Sequence, residues 1–324
     1  MNISVFKKVD TLIALLTFVC VGLFAQQKND AINAFNQGVV LMKTDAVSAI
    51  EPFENCIKIC EQIGDSADEV KIKAIQVLPD LYFQKAYNLY TIDKKYQESL
   101  NASKIALAVA DKYSNQKTKE KTQKLMIQDY ITLGSNYYTA NDNDKAISCF
   151  DSVLLINPDH LKAIYNKALT YKKMNNTAKF TETIDMYIGR VKGIADTTLL
   201  PQANKLALDY FRNSGIKANT ANKLADALTL LNSSFKYGTD KDVLYQLANI
   251  YNKQKKFAEA ADNAQKGLDL ETGAPEAKAK FYYELAVAQA GKGETENACE
   301  SFKNSMFGPF VDASKAQRTN LKCK

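Results

Sequence analysis

The chain has 324 residues, 46% of them hydrophobic and 24% charged, a composition that folds rather than one that stays disordered. With 13 glycines and 6 prolines there are few tight turns for a β-rich fold and few glycine loops for a dinucleotide site; the single histidine excludes any centre built from two imidazoles of one chain. A net charge of +6, spread thinly along the chain, is too weak to specify nucleic acid as a partner.

Residues 1–25 read as a secretory signal peptide. Lys7 and Lys8 precede an uncharged apolar run from Thr11 to Ala25, too short to span a bilayer comfortably, and Ala25 stands before polar Gln26-Gln27. Cleavage there removes Lys7, Lys8 and Asp10, so the net charge falls from +6 to +5. A retained N-terminal anchor is the alternative. Nothing after residue 25 is long and apolar enough to cross a membrane, so the mature chain is expected to be exported, periplasmic or secreted, and not membrane-spanning.

Residues 26–126 hold two loose helix pairs. The first, 30–63, carries Ala34, Gly38, Leu41, Ala49, Phe53 and Cys56; the second, 77–112, carries Phe83, Ala86, Tyr90, Tyr96 and Leu100. Both need a one-residue slip between their helices. The polar stretches 64–76 and 113–126 lack glycine almost entirely and lack proline, so they read as helix extensions rather than linkers. Pro79 reads as a junction residue, and Pro52 as a kink in a second helix or the mark of its late start.

The pattern is clearest at 127–160. Tyr130, Leu133, Gly134 and Tyr137 share one face of a helix, Asn141-Asp142-Asn143-Asp144 makes a polar turn, Ala146, Phe150 and Val153 share a face of a second helix, and Asn157-Pro158-Asp159 ends it. This 34-residue unit resembles the tetratricopeptide repeat (TPR), with Tyr130 where the family has Trp. The small residues Gly134 and Ala146 permit close helix approach, and one such pair must stack on neighbours to bury its faces. The resemblance implies an all-α fold, a right-handed α-solenoid of antiparallel helix pairs, and a protein or peptide as partner.

Residues 161–194 repeat the unit with Ile164, Ala168 and Tyr171, but Phe180 takes the place of the small residue. Residues 195–240 give an irregular pair, with Leu206, Ala207 and Tyr210, then Ala227, Leu231 and Ser234, joined by a long connector from Asn213 to Lys223. Residues 241–312 return to register with Leu244, Leu247, Ala248, Tyr251, Ala260, Ala264 and Gly267, then Tyr282, Leu285, Ala286, Ala298, Phe302 and Ser305. The tail 313–324 is polar and reads as frayed.

No residue set names a cofactor, a metal or a reaction. Ser114-x-x-Lys117 lacks the companion Lys-Thr-Gly element, Gly291-Lys292-Gly293 lacks the rest of a phosphate loop, and His160 reads as a turn residue at a helix start. The mature chain keeps five cysteines, Cys56, Cys60, Cys149, Cys299 and Cys323. The odd number leaves one thiol unpaired. Cys56 and Cys60, one helical turn apart, read as core residues, with a redox pair as the sharper alternative; Cys299 and Cys323 are placed to staple the tail to the last repeat.

In TPR arrays the first-helix face lines a concave groove, and the resemblance puts Tyr138, Tyr165, Tyr245 and Tyr283 on it, with Asn166, Gln246, Asn249 and Asn252 alongside. Aromatic surface and amides suit recognition of an extended backbone or a glycan; their frequency in the repeat consensus accounts for them equally. The Lys–Asn clamp by which some TPR domains hold a terminal carboxylate is missing from the well-matched repeats, and Lys162 with Asn166 is the nearest arrangement. Some Gram-negative bacteria O-glycosylate exported proteins at Asp, then Ser or Thr, then a small or apolar residue. Asp65-Ser66-Ala67, Asp151-Ser152-Val153 and Asp196-Thr197-Thr198 resemble that pattern, with Ser66 and Thr197 in accessible junctions. Together these residues describe a non-enzymatic interaction scaffold of the bacterial envelope. The alternatives are a structural subunit of an envelope assembly that uses its convex face and, more remotely, an enzyme.

Overall fold

The computed structural model describes residues 25–324, so the targeting segment lies outside the described residues but for Ala25. Every regular element among them is helical, and consecutive helices pack in pairs. The chain forms two compact units, one ending at Met174 and the other spanning Asn175–Lys324.

The first unit contains α1 (25–41), α2 (Ile50–Ile63), a 3-10 turn (Asp65–Ala67), α3 (Asp68–Thr91), α4 (Tyr96–Lys112), α5 (Gln116–Thr139), α6 (Asn143–Ile156) and α7 (Leu161–Lys173). Close approach within pairs is bought by small residues. A Cβ on Gly38 would meet the Phe53 ring at 2.8 Å, and one on Gly134 would meet Phe150 Cε1 at 2.6 Å. Phe53, Phe150, Ala146 and Val153 are buried in consequence.

The polar stretches 64–76 and 113–126 are largely helix, as their lack of glycine and proline implies: α3 begins at Asp68 and α5 at Gln116, where the Asn115 side chain accepts from Thr118 N at 3.0 Å. Pro52 marks a late start, since α2 begins only at Ile50 and the proline falls in its first turn, where no intrahelical N–H is needed. Pro79 corrects the reading. It lies inside the continuous 24-residue α3, and packing of its buried ring beside Leu78 and Leu81 outweighs the lost backbone bond. His160 is the N-cap of α7, its Nδ1 accepting from Ala163 N at 3.3 Å.

The second unit contains α8 (Thr177–Val191), α9 (Leu199–Thr220), α10 (Leu224–Ser234), α11 (Lys241–Lys253), α12 (Phe257–Leu270), α13 (Pro275–Gly291), α14 (Thr295–Asn304), a 3-10 turn (Gly308–Phe310) and α15 (Val311–Asn320). Two expectations change here. The long connector does not exist: α9 runs through it to Thr220, leaving Ala221-Asn222-Lys223 as the turn. The small position is Gly215, where a Cβ would come within 2.6 Å of Leu231 Cγ, so Leu206, Ala207 and Tyr210 lie upstream of the register assigned to them. Asn213, Ser214, Gly215 and Asn219 look like loop residues, but burial of Gly215 and Asn219 overrides their weak helix propensity. Nor is the tail frayed. α15 follows α14, Arg318 donates to Cys299 O, and the buried Ser305 and Ser314 hydroxyls are 2.7 Å apart. Phe180 is fully buried and joins an aromatic group with Tyr210 (4.3 Å) and Phe211 (6.3 Å), so a large ring is accommodated where the consensus has a small side chain.

The backbone reports the repeat phase independently of side-chain identity. Asn141, Asn175, Asn222, Lys255 and Gly293 all have positive φ, between 54° and 80°. Each stands seven positions after a small residue, respectively Gly134, Ala168, Gly215, Ala248 and Ala286. Asparagine and glycine tolerate this left-handed turn, which reverses the chain between the two helices of a pair. In the α3–α4 pair the slip is visible. Ser99, not Glu98, is buried opposite Ala86, one residue later than the spacing elsewhere.

Candidate protein-binding face

The eight aromatic and amide residues expected on the groove side divide between the units and behave differently in each. In the first unit, α5 and α7 carry Tyr138, Tyr165 and Asn166, all half-buried. Ser135, Tyr138, Thr139, Phe150, Asn166 and Leu169 line a cavity of about 110 Å³. Its walls are ring and aliphatic carbon; the Ser135 and Thr139 hydroxyls are turned back onto Ile131 O (2.8 Å) and Ser135 O (3.0 Å). Lys173 fixes Tyr138, donating to its carbonyl at 2.6 Å with Nζ 4.3 Å from the ring centroid. The Asn166 side-chain amide makes no hydrogen bond among the described residues. Lys162, Asn166, Leu169 and Lys173 follow one another along one face of α7 at helical spacing.

The second unit uses its amides internally, which corrects the expectation that they are free to pair with a partner's backbone. Asn249 Nδ2 donates to Glu284 Oε1 at 2.9 Å, and Asn252 Nδ2 donates to Glu284 Oε2 at 2.8 Å and to Glu284 O at 2.9 Å. Asn219 Nδ2 donates to Gln246 Oε1 at 2.8 Å and to Asn249 Oδ1 at 3.2 Å, and Lys253 Nζ donates to Asn219 Oδ1 at 2.9 Å. The network ties α9, α11 and α13 together around a carboxylate that is 3% exposed. Burial pushes the Glu284 carboxyl up, while the amides of Asn249 and Asn252 and the charge of Lys253 pull it down.

Tyr245 and Tyr283 are likewise engaged. Tyr245 meets Phe281 edge-on at 6.1 Å with Lys280 Nζ 5.4 Å from its ring, and burial beside Glu284 pushes its hydroxyl up to about 12. Tyr283 meets Phe302 at 5.8 Å and Phe310 at 5.3 Å. Neither Tyr245 nor Asn249 is peripheral to the fold. The sequence reading missed Asn219, Lys253 and Glu284; the available signal was Glu284 directly before core Leu285, a charge at a position facing the preceding first helix.

Cys299 and Cys323 form a disulfide with their Cα atoms 5.6 Å apart. Cys56, Cys60 and Cys149 are free, and burial with the neighbouring Cys60 pushes the Cys56 thiol up to about 12, far from reactive thiolate character. Thr197 is exposed between α8 and α9, beside an Asp196 carboxylate that accepts from Thr198 N at 3.0 Å; the Ser66 side chain lies outside the described residues. Among the described residues no group of three His, Cys, Asp or Glu is placed to hold a metal ion, and no helix is long and apolar enough to cross a membrane.

A family model, the tetratricopeptide repeat, matches residues 130–160, the α5–α6 pair. No curated protein matches the chain. Among solved structures, the chain is similar to MamA (18% identity, 60% of this chain and 94% of the other, TM-score 0.34). It is similar also to YrrB, described as a TPR protein with an unusual peptide-binding site (16%, 55% and 84%, TM-score 0.32). A third is a tetratricopeptide repeat protein from Parabacteroides merdae (16%, 91% and 99%, TM-score 0.30).

Proposed function

We propose that this TPR-repeat protein is a non-enzymatic scaffold, exported to the bacterial cell envelope, that holds a protein or peptide segment on the α5–α7 face. One observation carries the reading: the cavity beneath Tyr138 and Asn166 combines apolar walls with an uncommitted amide. An extended segment needs both, a recess for one side chain and a donor and acceptor for its backbone. Lys173 holds Tyr138 in place beforehand, which lowers the entropy lost on binding. The test is capture of partners from envelope extracts by the wild type and by the Tyr138→Ala, Asn166→Ala double variant. Loss of the same bands from the variant supports the reading; unchanged capture removes it.

A second reading keeps a specific observation. In the second unit Phe235, Thr239, Leu244, Asn263, Lys266, Asp269 and Leu270 line a largely apolar cleft of about 390 Å³ on the second-helix side. A subunit of an envelope assembly would use such a convex surface, and Phe235→Asp would then abolish capture while the Tyr138 variant would not.

Export rests on residues 1–25, and modification on Ser66 and Thr197. Intact mass of the natively expressed protein tests both together. A chain beginning at Gln26 supports cleavage and added hexose mass supports glycosylation; the bare full-length mass removes both cleavage and glycosylation and leaves the retained anchor as the only route to the envelope.

A further inference from the structure

Asp129 lies on α5 with no solvent exposure, facing the α3–α4 pair. Its Oδ2 is 3.1 Å from Ser99 Oγ and 3.4 Å from Ser103 Oγ; its Oδ1 has no hydrogen-bond partner. Ser99 Oγ is also 3.0 Å from Ala86 O. A serine hydroxyl has one hydrogen, yet this one touches two oxygens, a carbonyl and a carboxyl. If Asp129 is ionised, one of those contacts sets two acceptors against each other. If Asp129 carries a proton on Oδ2, the chain closes: Asp129 donates to Ser99, Ser99 donates to Ala86 O, and Ser103 donates to Oδ2. The orphan Oδ1 is then a neutral carbonyl oxygen rather than half of a buried charge.

No cation offsets a charge there. Among the described residues the only side chains that bond the carboxyl are Ser99 and Ser103; none of the ionisable groups near it along the packed helices does so, neither Lys85 and Tyr90 on α3, nor Tyr96, Glu98 and Lys104 on α4, nor Lys124 and Tyr130 on α5 itself. Lys85, Glu98, Lys104 and Lys124 are exposed, and Tyr90 hydroxyl instead meets Thr132 at 3.4 Å. The seam is lined by small buried residues, Ala86, Ala102 and the two serines.

We propose that Asp129 is a proton-operated latch: its carboxylic acid form closes the α3–α4–α5 seam, and loss of that proton to water loosens it. Burial pushes the carboxyl up to about 7, against the ordinary 3.8 of an exposed aspartate, so the latch works near neutral pH. The folded-state value is the raised one. The folded chain therefore holds more protons than the open chain between the two values, and stability falls as pH rises through that window. With those two values the opening constant of the seam grows roughly a hundredfold from pH 5 to pH 8.

The experiment is urea unfolding of the full chain at pH 5 and pH 8, wild type against Asp129→Asn. Asparagine keeps the shape, stays neutral and retains a donor for Ser99. The wild type should lose more midpoint concentration between pH 5 and pH 8 than the variant, since every other ionisable group is common to both. Equal pH dependence in the two proteins overturns the latch. If the variant does not fold, the carboxyl ¹³C shift of Asp129 in the wild type decides: a midpoint near 7 supports the proposal, and one near 4 overturns it.

Discussion

The first-helix faces of the two units carry the same residue types with opposite outcomes. On α5 and α7, tyrosine and asparagine border an open recess. On α11 and α13 the same types close over Glu284, and the side-chain amides of Asn249 and Asn252 donate to it within the fold. A buried carboxylate makes the difference. Where one is present, neighbouring amides serve its desolvation before they serve a partner. A row of asparagines on a groove face is therefore evidence of binding only after buried charges beneath it have been located.

The strongest way to break this contrast is to remove the carboxylate. Glu284→Ala strands the Asn249 and Asn252 donors and should lower stability by about 3 kcal/mol in urea titration, with protection lost first from α11 and α13. If stability is unchanged, the network is superficial and the second unit's amides are available after all. Next in size is the staple. Cys323→Ser opens a loop with a sequence separation of 24. It should cost up to about 3 kcal/mol locally, read as faster proteolysis of α15 while the rest resists.

Tyr138→Ala with Asn166→Ala sharpens the comparison from the other side. It should weaken partner capture by about 2 kcal/mol, roughly thirtyfold, with little change in melting temperature. Tyr245→Ala with Asn249→Ala should do the reverse, lowering the melting temperature. If the second pair abolishes capture in a fully folded protein, binding belongs to the second unit. The smallest effect belongs to Lys266→Ala. This exposed lysine pairs with Asp262 within α12, and its loss should move stability by less than about 0.5 kcal/mol.

The helix pairs were readable because small and aromatic residues recur at fixed spacing, as Gly134 with Ala146 and Phe150 show. Register failed where composition pointed to a loop. Asn213, Ser214 and Gly215 suggested a connector, but Gly215 was the close-contact residue itself, and its identity as such depends on Leu231 across the pair. Pro79 misled for a related reason, since a proline's usual role as a helix boundary is a local rule and the packing of α3 is not local. The groove residues were found by position but not by state. That Asn249 is committed is decided by Glu284, 35 residues further along the chain.

The stapled helix α15 occupies a face of the α13–α14 pair that a further helix pair could otherwise use. A repeat array exposes an apolar edge wherever its last pair has no successor, and that edge invites another chain to continue the pattern. Here Leu321 packs against the Ala286, Ala298 and Phe302 cluster, Phe310 lies on Tyr283, and the disulfide ties Cys323 back to α14. α15 therefore covers this face of the α13–α14 pair, so another chain could dock there only after reduction of a covalent bond and displacement of a packed helix.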